Sequence, residues 1–108
     1  MNKFEQELKN NNFVCTFCTH CNKLVWPISD FCNQCFGMAI WKKVNRTAKL
    51  IEFSRKDGEI FCISEFEDGL RIMGNIINAP NLQIGQSLNL VKCDYENGHA
   101  VFILEPIY

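Results

Sequence analysis

Two Cys-x-x-Cys pairs, Cys18 with Cys21 and Cys32 with Cys35, stand ten residues apart in this 108-residue chain. Nothing else in the sequence restricts its fold as strongly. Two thiolates three positions apart reach one metal ion when the backbone turns tightly and aims amide N–H groups at the sulfurs. Two such knuckles complete a tetrahedral set and leave no position open for water or substrate, which is the pattern of a structural site. Each knuckle needs a residue tolerant of positive φ just after its second cysteine, and Asn22 and Gly37 are expected to supply it.

Zinc is the expected ion, with iron as the alternative, because paired knuckles with an intervening aromatic and proline also build rubredoxin-type centres. Cys15 complicates the assignment, since Cys15 and Cys18 also have knuckle spacing. Keeping Cys18 leaves both pairs intact, and Cys15 then shares a strand face with Phe13 and Phe17 as a small hydrophobe. Seven cysteines is an odd number, which disfavours a pure disulfide framework. Cys62 and Cys93 fall inside predicted strands and read as core residues.

Ahead of the knuckles, residues 1–12 read as a short helix. Asn2 is placed to cap it, Glu5 completes a capping box, and the run Asn10-Asn11-Asn12 ends it. Phe4 and Leu8 fall on one face. So short a helix needs that face covered, by the chain's own core or by a partner.

After the knuckles the sequence is β-rich. Asp57-Gly58, Asp68-Gly69 and Asn97-Gly98 each favour tight reversals. The last two sit between alternating runs that predict hairpins. One long strand from Trp41 to about Ser54, with a bulge at Asn45, is expected to precede them. Five strands without a long helical pattern suit a Greek-key barrel of the OB type. The fold class is therefore mainly β: a short helix over 1–12, a metal ribbon over 13–37 and a five-stranded barrel over 38–108.

The net charge of -1 conceals a segregation. Residues 41–56 carry six bases against Glu52 alone, while residues 57–108 carry a net -6. A protein living on nucleic-acid phosphates shows a basic excess, which is absent here. The one basic and aromatic cluster, Trp41 beside Lys42 and Lys43, keeps a single-stranded nucleic-acid module as the alternative reading. The apolar runs are far shorter than a bilayer span, and the N-terminus lacks a signal-peptide pattern, so a cytoplasmic protein is expected. No nucleophile has a base at a readable spacing, His20 and His99 stand alone, and the sequence reads as no enzyme.

Taken in order, the helix, Cys18-Thr-His-Cys21, Trp26-Pro27, Cys32-Asn-Gln-Cys35, Trp41, Glu67 to Ile72, Ile84-Gly85 and Phe102 to Pro106 resemble a known family. These are the acyl-CoA-associated proteins that join a rubredoxin-like zinc ribbon to an OB fold. The resemblance implies a non-catalytic scaffold that binds a thiolase-superfamily enzyme, in archaea bridging acetoacetyl-CoA thiolase and hydroxymethylglutaryl-CoA synthase, and helps hold acyl-CoA. With that implication in hand, Lys42, Lys43, Arg46 and Lys49 become candidates for the phosphates of CoA. Phe4 and Leu8, and the apolar tail from Phe102 to Tyr108, become candidates for partner docking.

Overall fold

Asn2 caps the first helix as its side chain predicts: its Oδ1 accepts from the Glu5 N–H, and a Glu5 carboxylate oxygen accepts from the Asn2 N–H, both at 2.9 Å. The structure, a computed structural model, describes residues 2–108. The expected helix range begins at residue 1, which lies outside the described residues. The helix, α1, runs Lys3–Lys9. Asn11 then takes a left-handed φ of 61°, which asparagine tolerates better than most residues.

Strands β1 (Val14–Cys18), β2 (Lys23–Val25) and β3 (Ile40–Lys43) form an antiparallel sheet in the order β2-β1-β3. Strands β4 (Thr47–Lys56), β5 (Glu59–Glu65), β6 (Arg71–Ile76), β7 (Ser87–Glu96) and β8 (His99–Pro106) close into a barrel in the order β4-β5-β6-β8-β7. This is the five-stranded Greek-key order of an OB-type barrel. Its β6–β8 pairing is parallel and the other pairings are antiparallel. All three Gly-containing turns reverse the chain as expected, with Asp57, Asp68 and Asn97 at positive φ before their glycines. The 77–86 connection carries no helix.

The long strand expected from Trp41 to Ser54 is two strands. Trp41, Lys42 and Lys43 pair with β1 of the ribbon, and the chain changes sheets across Val44, Asn45 and Arg46. A boundary after residue 37 therefore falls inside the ribbon's sheet. The bulge lies between Leu50 and Glu52 rather than at Asn45. Asn45 instead turns the chain, its Oδ1 accepting from the Thr47 N–H.

Alternate residues of each barrel strand face inward. Leu50, Leu88, Leu90 and Leu104 are fully buried, with Cys62 and Cys93 among them as expected. β6 and β8 approach so closely at Gly74 that a Cβ there would lie 2.8 Å from the Phe102 carbonyl oxygen. Phe13 joins the ribbon to this core, edge-to-face with Phe66 and with Phe102 at 5.2 Å each. Burying such a ring contributes about 1.5–3 kcal/mol.

Candidate metal centre

Cys18 ends β1, Cys21 lies in the turn into β2, and Cys32 and Cys35 lie in the second knuckle. The four sulfurs all lie within 4.8 Å of one another. A donor set of four thiols at this separation fits one tetrahedral ion. Cys18 and Cys32 are buried, while Cys21 and Cys35 are partly exposed. Cys15 stays out of the cluster: it is fully buried, and its thiol donates to the Val25 carbonyl at 3.3 Å.

Backbone amides converge on the sulfurs. The N–H groups of Cys21, Gln34 and Gly37 donate to Cys18, Cys32 and Cys35 at 3.3, 3.4 and 3.4 Å. The Cys35 and Gln34 amides hold the Cys32 thiol down at about 6. Hydrogen bonding to Cys35, with burial next, pushes Cys21 up to about 12. Cys35 is pulled down by the Gly37 amide but ends raised, through its hydrogen bond with Cys18 and its burial. Cys15 is pushed up to about 11 by burial, as befits a thiol left out of the site.

Asn22 has the expected positive φ, 56°. In the second knuckle Phe36, not Gly37, takes it, at 61°. The reversal falls immediately after the second cysteine of each pair, whatever residue stands there. Gly37 is needed for a different reason: a Cβ there would meet the Cys35 sulfur at 3.3 Å.

The remaining candidates are dispersed. Leu8 has no exposed surface and sits in the chain's own core, so it has no face to offer a partner. Phe4 is half-buried, edge-to-face with Trp26 at 5.9 Å. In the tail, Phe102 and Leu104 are core residues, and only Ile107 and Tyr108 are exposed large apolar groups. Lys42, Lys43, Arg46 and Lys49 do not form one patch. Lys42 and Lys43 are neighbours on β3 and so point to opposite faces, while Lys49 lies on the barrel. Lys42 sits over Phe17 at 4.6 Å and pairs with Glu67 at 3.6 Å. Arg46 spends its guanidinium on the Leu90 carbonyl and on Asn11. Trp41 packs under the Lys3 ammonium at 5.9 Å. His20 and His99 are exposed and on different modules.

Sequence reasoning missed the clip between ribbon and barrel. The 3-10 turn Glu67–Gly69 accepts the Asn45 N–H on a Glu67 carboxylate oxygen and the Leu24 N–H on an Asp68 carboxylate oxygen, each at 3.0 Å. Adjacent acids in a turn carry no signal for such distant partners.

No helix among the described residues is long and apolar enough to cross a membrane. No protein-family model and no curated protein sequence matches the chain. Among solved structures, a chain described as "Ltp2-ChsH2(DUF35) aldolase" aligns over 98% of this chain and 96% of its own length, with a TM-score of 0.77 at 16% identity. A protein of unknown function from the DUF35 family of Sulfolobus solfataricus aligns over 97% of this chain and 83% of its own, with a TM-score of 0.69 at 14% identity. The first of these corrects the reading of the sequence as no enzyme. This fold occurs in a structure described as an aldolase, and the lack of a nucleophile–base spacing says nothing of groups that folding or assembly brings together. The chain, a ribbon with four clustered cysteines joined to a five-stranded barrel, shares its overall fold with these DUF35 proteins.

Proposed function

We propose that this chain is an accessory subunit of an enzyme assembly that handles acyl-CoA, built on a ribbon that holds zinc through Cys18, Cys21, Cys32 and Cys35. Its partners in this reading are a thiolase-superfamily enzyme and hydroxymethylglutaryl-CoA synthase. The observation that carries it is the apolar surface left uncovered around the second knuckle. Phe31, Phe36, Met38 and Ile40 are all more than half exposed, with Phe31 and Met38 bridged to each other across the knuckle. A small domain that holds so many large apolar groups in water gains by burying them on another protein. The shape agrees: the radius of gyration is 14.5 Å, against about 13 Å for a compact domain of this length.

The fold likeness to a chain described as an aldolase supports an assembly of this general kind, and the resemblance of the sequence supplies the acyl-CoA and thiolase assignments. Of the four cations first considered for the CoA phosphates, Lys43 and Lys49 keep exposed side chains without an ion pair among the described residues. These two are the candidates for the phosphates of CoA in this reading. The test is a pull-down of the tagged full chain from the cells that produce it, followed by size exclusion and mass spectrometry. A thiolase-superfamily enzyme in stoichiometric amount is expected. A chain that elutes alone, or with enzymes of unrelated chemistry, overturns the reading.

A further inference from the structure

The outer wall of the barrel carries a second feature that the ribbon does not explain. Strand register places Glu52, Ile63 and Met73 side by side across β4, β5 and β6, with Ser54, Phe61 and Asn75 in the adjacent row. Ile84 arrives from the 77–86 connection, and with Glu52, Ser54, Phe61, Ile63 and Met73 it borders an open groove of about 470 Å³. Met73 and Ile84 are 77% and 61% exposed. Polar residues are the rule on the solvent face of an antiparallel strand pair, so this apolar strip runs against the pattern of the fold.

The groove's electrostatics select its occupant. Glu52 is the single charged residue among those that line it. Its carboxylate makes no ion pair or side-chain hydrogen bond among the described residues. An anionic ligand such as the phosphates of CoA meets repulsion there, whereas a cation gains a partner. β5 is paired along both edges, so the groove cannot take an added strand and must recognise side chains.

We infer that this groove docks a protein segment that sets a large apolar side chain next to a lysine or arginine. The apolar group covers Phe61, Met73 and Ile84, and the cation meets Glu52. The inference rests on the assembly reading above and deepens it by naming a docking face on the barrel that no ribbon residue lines.

The test is amide chemical-shift mapping of the full, metal-loaded chain with two blocked peptides, acetyl-Leu-Phe-Lys-amide and acetyl-Leu-Phe-Glu-amide. The lysine peptide is expected to shift amides of Glu52 to Ser54, Phe61 to Ile63, Met73 and Ile84. It should bind about fivefold more tightly than its glutamate counterpart, as befits one exposed ion pair. Glu52→Gln should erase that preference, and Met73→Asp, at an exposed site that the fold does not need, should abolish binding of both. Equal binding of the two peptides, tighter binding of the glutamate peptide, shifts centred elsewhere, or no shift up to about 10 mM peptide overturns the inference. Because no partner enzyme enters this titration, its failure leaves the assembly reading to the pull-down.

Discussion

Arg46 donates from Nη2 to the Asn11 Oδ1 and from Nη1 to the Asn11 carbonyl, each at 3.0 Å. The Asn11 Oδ1 also accepts the Cys93 N–H at 2.8 Å. Arg46 also grips Leu90 twice, giving Nε to its carbonyl at 3.0 Å and taking its N–H on its own carbonyl at 2.7 Å. Two residues far apart in sequence thus fasten the end of the helix, the crossing between sheets and the bulged stretch of β7.

Arg46→Ala is therefore expected to destabilise the chain by about 1.5–3 kcal/mol, the scale for hydrogen bonds from a charged donor. Lysine should recover little, because its ammonium lacks the planar fork. Asn11→Gly keeps the left-handed backbone and loses the side-chain bonds, so Asn11→Ala should be worse than Asn11→Gly by about 1 kcal/mol. Urea unfolding at constant m-value reads both, and equal stability of the alanine and glycine variants would count against the account.

Phe36 and Gly37 should respond in opposite directions. Phe36→Asn relieves a left-handed phenylalanine whose ring is 78% exposed, and should raise the stability of the metal-loaded form by about 0.5–1 kcal/mol. Gly37→Ala sets a methyl group 3.3 Å from the Cys35 sulfur and should weaken metal retention against a chelator. Thermal unfolding and competitive chelation check the pair.

Metal binding should weaken steeply in acid. Cys21, pushed up to about 12, and Cys35, also raised, keep their protons at neutral pH, and an ion must displace both to bind as thiolates. Each proton released contributes a factor of ten per pH unit, so affinity should fall at least about a hundredfold from pH 7 to pH 6. Cys32, held at about 6, begins to take up its own proton over the same interval and adds its full factor below it. Zinc competition with a chromophoric chelator at several pH values gives the slope, and a flat profile would contradict the thiolate assignment. Iron loading would instead colour the protein red.

Asp68 supports the clip between modules in two ways, through its bond to the Leu24 N–H and through its own φ of 56°. Asp68→Ala loses both and should cost about 1–2 kcal/mol, whereas Asp68→Asn retains an acceptor and the tolerance for that φ. Denaturation of the two variants side by side decides it. A similar loss in both would mean that the charge of Asp68, rather than its shape, holds the ribbon in place.

Local chemistry was legible from the sequence wherever it depends on neighbours in the chain. The capping box of Asn2 and Glu5, the three Asp-Gly or Asn-Gly reversals and the gathering of Cys18, Cys21, Cys32 and Cys35 all belong to that class. Errors arose where partners are remote. Nothing between Trp41 and Ser54 marks a break, because β-prone residues run straight through it and the change of partner from β1 to β5 and β7 is set by the other strands. For the same reason four cations close in sequence looked like one patch, although strand alternation and the sheet change scatter them. For Leu8 the sequence leaves both its own core and a partner open, because the surface that covers it is assembled from distant segments. Phe36 carries no turn signature at all, and only the backbone after Cys35 reveals its role.

The junction of β6 and β8 is the shortest seam of the barrel. Registered pairing there comprises Asn75 with Ile103 and Ile76 with Leu104, and Gly74 contributes no side chain to reinforce it. Transient opening of the wall should start along this line, so deuterium should reach the Ile77 amide, which donates to the Leu104 carbonyl across it, well before the Leu90 amide, which donates to the Arg46 carbonyl.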